Sequence, residues 1–255
     1  MVLKNNQINV FGECGFMNIA VIFAGGTGQR MNTSSKPKQF LDVHGKPVLI
    51  YTLEVFSNHP MIDKIILVCL DSYITYCKKI IKKWDVSKVE KIISGGKSGQ
   101  ESIFKGLKSA YEYCPEDSIV LIHDGVRPLI DEATISKDIM SVKKYGSAIT
   151  ISSAVETVII KNKNDEVGTI LNRSNCEIAK APQCFYLRDI YKAHLKALDE
   201  NNVNFIDSAS LMHHYGYKLS TVEGPAENIK ITTPSDFYIF RAIIDAKENL
   251  QIIGL

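Results

Sequence analysis

Apolar residues along the chain fall into short unbroken runs separated by stretches with helical spacing. Asn18–Ala24 is such a run, ended by Gly25-Gly26, as expected for a strand buried on both faces. Lys64–Leu70, Lys88–Ser94 and Ser118–His123 repeat the pattern. The third stops at Gly95-Gly96, and the fourth runs into Asp124-Gly125-Val126-Arg127-Pro128. Between them, Pro47–Ser57, Ile74–Trp84, Glu101–Tyr113 and Thr134–Tyr145 place apolar residues on one helical face, with Pro47 suited to a first turn. Strand alternating with helix over roughly the first 150 residues predicts an α/β fold, a mostly parallel sheet with helices on both faces. Such sheets bind ligands at the carboxyl ends of their strands, near a topological switch. The glycine-rich loop, the Gly95-Gly96 turn and the Asp124 turn all follow strands, so one face can gather all three.

The pattern changes after Ala148. Ala148–Ser153 and Val155–Lys161 read as β stretches, Lys161–Gly168 as a polar turn and Thr169–Arg173 as a returning strand. Together they predict a β-arm at about residues 151–176. Its apolar residues have few places to be buried except a partner chain, so a homodimer through the arm is expected. Helices Leu187–Asn201 and Ser208–Tyr215, strand Lys218–Glu223 and helix Pro234–Lys247 complete the chain. Residues 17–250 read as one domain and residues 1–16 as an N-terminal extension. The extension lacks the apolar core of a signal peptide.

Composition narrows the partners. Of 255 residues, 45% are hydrophobic; 30 Lys and Arg against 28 Asp and Glu leave a formal charge of +2. That balance argues against a broad nucleic-acid face. Apolar runs such as Ile65–Leu70 are too short to span a bilayer, so no membrane association is expected. The six cysteines form no C-x-x-C pair. They are read as free thiols in a reducing cytosol, which places the protein in the cytoplasm.

The loop Ala24-Gly25-Gly26-Thr27-Gly28-Gln29-Arg30-Met31 carries the first chemical signal. Glycines there let the backbone approach a ligand and aim N–H groups at it, and a following helix N-terminus favours phosphate. Arg30 and, farther on, Lys38 add cationic charge. A Walker A loop would end in Gly-Lys-Ser/Thr, which is absent. A dinucleotide fingerprint would have a small residue where Met31 stands. A tight glycine turn with nothing bound stays open on these residues alone.

The longer string, from Ala24 through Met31 to Pro37-Lys38-Gln39-Phe40, resembles the sugar nucleotidyltransferases. Within them it is similar to the cytidylyltransferases acting on methylerythritol 4-phosphate and on ribitol 5-phosphate. The resemblance runs from Asn18 to about Ala246. It includes Gly95-Gly96 with Ser102, His123-Asp124-Gly125-Val126-Arg127-Pro128, Ala181-Pro182-Gln183-Cys184-Phe185 and Asn228-Ile229-Lys230-Ile231-Thr232, in the family's order. It implies a Rossmann-like nucleotidyltransferase that moves CMP from CTP to a polyol phosphate and releases pyrophosphate.

The resemblance also implies residue roles. Arg30, Lys38 and Lys230 would bear the charge of the reacting phosphates. Ala24, Gly25, Gly26, Thr27, Gly28, Gly95, Gly96, Ser102 and Gly125 would hold the nucleotide. Asp124, Arg127 and Asp207 would face the acceptor, joined from a neighbouring subunit by Thr157 and Arg173 on the arm. Asp124 would also hold Mg²⁺ or another divalent cation, while His123 is structural. Two positions depart from the methylerythritol-phosphate pattern: Gly99 replaces a common arginine, and Ile206 a threonine that helps hold the acceptor phosphate. Gly25 and Val126 look like the ribitol-phosphate branch; Gln100-Glu101-Ser102-Ile103 and Asp207-Ser208-Ala209-Ser210 look like the methylerythritol branch. Ribitol 5-phosphate is the favoured acceptor. Methylerythritol 4-phosphate and a CTP-binding regulator without turnover are the alternatives.

Overall fold

A computed structural model describes residues 16–26 and 36–253. The first strands and helices come in the expected alternation: β1 (Asn18–Ala24), the short pair β2 (Asp42–Val43) and β3 (Lys46–Pro47), α1 (Val48–Asn58), β4 (Lys64–Cys69), α2 (Ile74–Lys83), β5 (Val89–Ser94), α3 (Gly99–Tyr111), β6 (Ile119–Asp124) and α4 (Glu132–Tyr145). Then follow β7 (Ser147–Ser153), β8 (Ile159–Lys161), β9 (Val167–Ile170), β10 (Glu177–Tyr186), α5 (Leu187–Asp199), α6 (Ser208–His214), β11 (Thr221–Glu223) and α7 (Pro234–Ile253). Two helices start earlier than their apolar spacing suggests because side chains cap them. Ser98 accepts a hydrogen bond from the Glu101 amide ahead of α3, and Asp131 accepts one from the Thr134 amide ahead of α4.

Seven strands form one sheet in the order β11-β7-β10-β6-β1-β4-β5. All neighbours are parallel except β10, which runs antiparallel to both β6 and β7. The expectation of a mostly parallel sheet holds. The sequence reading assigned no element to residues 177–186; Lys180 and Pro182 interrupt the apolar alternation, and their neighbours pair on both sides. The register of β10 against β7 slips between Ala179 and Gln183, where Pro182 cannot donate to a ladder.

β1 shows why the layers form. Ala20 and Ile22 face one cluster with Leu49, Phe56 and Ile139; Ile19 and Val21 face the other with Leu107, Phe185 and Ile190. Each of these side chains is fully buried, and burial of that kind is worth about 1.5–3 kcal/mol per large apolar side chain. The chain passes from β1 to β4 and β5 on one side and later places β6 on the other, so the switch point lies between β1 and β6. There Phe23 is paired with Asp124.

β8 and β9 form a separate antiparallel pair outside the main sheet. The returning strand ends at Ile170 rather than Arg173. The Asn172 side chain accepts from the Ser174 amide and turns residues Arg173–Asn175 into a 3-10 turn. Val155 and Thr157 likewise precede the paired strand. Val155, Ile160, Val167 and Ile170 on this arm are more than half exposed.

Candidate active site

The end of β1 is held from below. Gln39, on a 3-10 turn over Lys38–Phe40, donates through Nε2 to the carbonyls of Ala24 at 2.7 Å and Gly26 at 3.2 Å. Phe40 anchors that turn by stacking on Tyr73 with ring centroids 4.6 Å apart. Lys38 is thereby buried beside the loop it follows in sequence. At the end of β5, the Gly96 amide donates to Ser102 Oγ at 2.9 Å, and that hydroxyl donates to the Ser98 carbonyl at 2.8 Å. A Cβ at Gly96 would fall 2.4 Å from Glu101 side-chain atoms, so glycine lets the turn close on the start of α3.

Asp124 ends β6 almost fully buried. Lys230 Nζ lies 2.6 Å from its Oδ1, and Arg127 Nε donates to its Oδ2 at 2.8 Å. Burial alone would raise the carboxyl pKa, but the charges of Lys230 and Arg127 outweigh it and hold the group at about 2. It is therefore an anion at neutral pH. His123 is the opposite case: burial lowers its pKa to about 4, and its Nε2 lies 3.1 Å from the Arg127 carbonyl. It is a neutral support for the turn, as expected.

Lys230 sits on a segment without regular secondary structure, and side chains fix its course. Arg127 Nη1 donates to the Asn228 carbonyl at 3.0 Å, Asn228 Nδ2 donates to the Ala181 carbonyl at 2.7 Å, and the Ile231 amide donates to the Val126 carbonyl at 2.9 Å.

Two cavities flank this cluster. One of about 510 Å³ is lined by Ala24, Gly25, Gly26, Lys38, Gly96 and Ser102, among others. The second, about 300 Å³, is lined by Gln100, Arg127, Lys180, Gln183 and Asp207, among others. Phe23, Gly99, Asp124 and Lys230 belong to both walls. Ala24, Gly25, Gly26, Gly96 and Ser102 thus lie on the first cavity and Arg127 and Asp207 on the second, and the two spaces meet at one ion-paired carboxylate.

Asp207 lines the second cavity and also caps α6, its Oδ1 accepting from the Ser210 amide at 2.8 Å. Gln183 secures that corner: Nε2 donates to Asp207 Oδ2 at 2.9 Å, and Oε1 accepts from the Ala209 amide at 2.8 Å. Gln100 accepts from the Phe205 amide at 3.1 Å, tying the first turn of α3 to the same loop. Ile206 stands on the rim, 96% exposed.

Other expected residues lie elsewhere. Gly95 and Gly125 line neither cavity. Gly95 donates to the Cys69 carbonyl at 2.8 Å. Gly125 is packed so closely that a Cβ would meet Leu49 Cδ1 at 2.9 Å and Ala24 Cβ at 3.0 Å. Thr157 and Arg173 are exposed on the arm, with Arg173 Nη1 donating to the Val155 carbonyl at 2.8 Å. Within one chain they do not join the Asp124 cluster. Thr27, Gly28 and Arg30, like the extension over residues 1–15, lie outside the described residues.

Sequence reasoning gave no role to Gln39, Gln100, Lys180, Gln183 or Asn228. Gln39, Gln100, Gln183 and Asn228 stand inside motifs already quoted, which was the available signal; nothing in the sequence marks Lys180.

Among the described residues, no group of three or more His, Cys, Asp or Glu side chains converges as a metal cage. Asp124 stands alone, with each oxygen meeting one cation. A hard divalent ion that takes most of its ligands from phosphates and water needs only one such carboxylate. Asp124 lies on the wall common to both cavities, and holding such an ion there means exchanging its contact with Lys230 or Arg127 for the metal.

A family model described as IspD: 2-C-methyl-D-erythritol 4-phosphate cytidylyltransferase matches residues 18–246. The chain belongs to this family. It is a cytidylyltransferase, within the nucleotidyltransferase class of enzymes. A ribitol-5-phosphate cytidylyltransferase of Vibrio parahaemolyticus serotype O3:K6 is 52% identical to it, over 93% of this chain and 100% of that protein. A 2-C-methyl-D-erythritol 4-phosphate cytidylyltransferase of Clostridium kluyveri is 42% identical, over 87% of this chain and 94% of that protein. The crystal structure of 4-diphosphocytidyl-2C-methyl-D-erythritol synthase from Anaerococcus prevotii superposes with a TM-score of 0.78 at 31% identity, covering 91% of this chain and 97% of the other. No helix among the described residues is long and apolar enough to cross a membrane.

Proposed function

We propose that this cytidylyltransferase transfers CMP from CTP to D-ribitol 5-phosphate, forming CDP-ribitol and pyrophosphate. The observation that carries the reading is the pair of cavities sharing the Asp124–Lys230 wall. A two-substrate transfer needs two spaces that meet where the bond is made. The higher identity to a ribitol-5-phosphate enzyme supports the choice of acceptor.

An oxygen of the acceptor phosphate attacks the α-phosphorus of CTP. The bond from that phosphorus to the oxygen bridging it to the β-phosphorus breaks, and pyrophosphate leaves with the electron pair. Nucleophile and target are both anionic, so alignment and charge neutralisation supply most of the rate. Lys38 and Arg30 serve the triphosphate; Lys230 and Arg127 serve the acceptor phosphate. Asp124 orients both of the latter through its ion pairs. Asp124 would hold Mg²⁺, which supplies Lewis-acid charge to phosphate oxygens when bound.

The arm completes the enzyme as a homodimer. Its exposed apolar residues suit burial against a second copy, which would bring Thr157 and Arg173 to the partner's acceptor cavity. The free thiols of Cys69, Cys77, Cys176 and Cys184 suit a reducing cytoplasmic setting.

A second reading, 2-C-methyl-D-erythritol 4-phosphate as acceptor, is favoured by the description of the matching family model. Pyrophosphate release with CTP and Mg²⁺ against both acceptors separates the two. A kcat/KM for ribitol 5-phosphate at least about tenfold above that for the methylerythritol substrate is expected, since pocket contacts discriminate on that order. A reversed ratio would replace the acceptor, and no release with any polyol phosphate would leave a nucleotide-binding protein without turnover.

A further inference from the structure

We propose that Lys180 is a phosphate-binding residue for the acceptor, working beside Arg127 in the smaller cavity. The inference rests on reading that cavity as the acceptor's.

Lys180 lies within the register slip of β10 and on the cavity wall. Among the described residues three cations line this space, and Asp124 is ion-paired with two of them, Lys230 and Arg127. The cavity's other carboxylate, Asp207, is engaged by Ser210 and Gln183. The Lys180 ammonium donates instead to two neutral carbonyls, Ala226 at 2.8 Å and Pro225 at 3.3 Å. An ammonium has three N–H donors, so two carbonyls leave one for a further acceptor.

Burial depresses the Lys180 pKa first, and repulsion from Arg127 adds to it, with Glu227 pulling the other way. Lys180 and Arg127 thus line one cavity, and its two carboxylates, Asp124 and Asp207, are already ion-paired or hydrogen-bonded. A phosphate monoester placed between the two cations relieves that repulsion and gains charge-assisted hydrogen bonds. Lys180 is accordingly part of the binding site as well as a strap on the 225–226 segment.

Lys180→Gln tests which role matters, because it keeps a donor for the carbonyls and removes the charge. The KM for ribitol 5-phosphate should rise about 10- to 100-fold, the usual effect of losing a charged hydrogen bond. The KM for CTP should stay within about twofold, and inorganic phosphate should weaken as a competitor of the acceptor. Lys180→Arg should recover most of the loss. An unchanged acceptor KM and unchanged phosphate inhibition in the Gln variant would reduce Lys180 to a strap and overturn the proposal.

A second measurement needs no variant. Ribitol 5-phosphate should protect Lys180 of the unaltered enzyme from acetylation, read by mass spectrometry, with half-protection near the acceptor KM. Acetylation at the same rate with and without it would also overturn the proposal. An enzyme that turns over only the methylerythritol substrate would refute the acceptor assignment instead; the same comparisons are then read on that substrate, which carries the same phosphate group.

Discussion

Two aspartates of this molecule are buried to nearly the same degree and behave in opposite ways. Asp124, at the end of β6, meets Lys230 and Arg127 and is held as an anion with a pKa of about 2. Asp138, on α4, is wholly buried against β7. The Thr150 hydroxyl donates to its Oδ2 at 2.9 Å, and its Oδ1 meets no hydrogen-bond partner among the described residues. Burial pushes its pKa up to about 8; the Thr150 bond opposes this, and Asp131 adds a smaller push upward. Burial therefore does not decide the state of a carboxylate; the charges buried with it do. Asp124 is a standing negative charge where two cavities meet. Asp138 is a neutral hydrogen-bonding group in the core.

The sharpest challenge to that contrast is Asp124→Asn. It keeps the shape and removes the charge, and turnover should fall on the order of 10³-fold while the protein stays folded. Near-normal turnover in a steady-state assay would mean the charge is not needed there. Next comes Lys230→Met, which takes away one of the two cations. Turnover should fall on the order of 10²-fold, and the acid limb of the pH–rate profile should move to higher pH. The direction follows from the ion pair: with one cation gone, the Asp124 carboxyl protonates more easily. A limb that stays in place would dissociate Asp124 from that titration.

Asp138→Asn should leave turnover within about twofold and change stability instead. The folded-state pKa is raised, so the Asp138 contribution is greatest below the unfolded value of 3.8 and is lost as pH rises through about 8. Between those limits the native protein should lose up to about 1.4 kcal/mol per pH unit from this group. The Asn variant should lack that slope and be the more stable form at pH 8. Denaturant titrations at pH 5 and pH 8 decide it; parallel pH dependence in both proteins would mean that Asp138 is ionised when folded. Asp124 has the reverse sign: its contribution is present above 3.8 and lost as pH falls towards 2.

The mildest change is at the exposed extreme. Ile206→Thr on the acceptor rim should leave stability within about 0.5 kcal/mol, because Ile206 is 96% exposed. It should raise the kcat/KM ratio of methylerythritol to ribitol substrate by about 2- to 10-fold. No movement of that ratio would remove Ile206 from acceptor choice.

The alternation of buried runs and helical spacing was enough to place β1, β4, β5 and β6 and the loops at their ends, because parallel strands covered on both faces must be apolar throughout. Lys38, Asp124 and Lys230 came forward as candidates through the motifs that resemble the family's. β10 was not legible. Its pairing on both sides depends on residues distant in the chain, and Lys180 and Pro182 obscure its local pattern. The end of β9 was missed for a related reason, a side-chain cap at Asn172 that no periodicity records.

Residue type and order thus carried the fold class, the glycine-rich loop and the identity of the charged residues. Pairing did not follow from them: that Asp124 meets two cations and Asp138 meets a hydroxyl depends on distances between segments such as β6 and the loop bearing Lys230, 106 positions apart in sequence (230 − 124). Charge interactions and desolvation act through space, and two aspartates with the same intrinsic chemistry acquire opposite states only when the folded chain sets their neighbours.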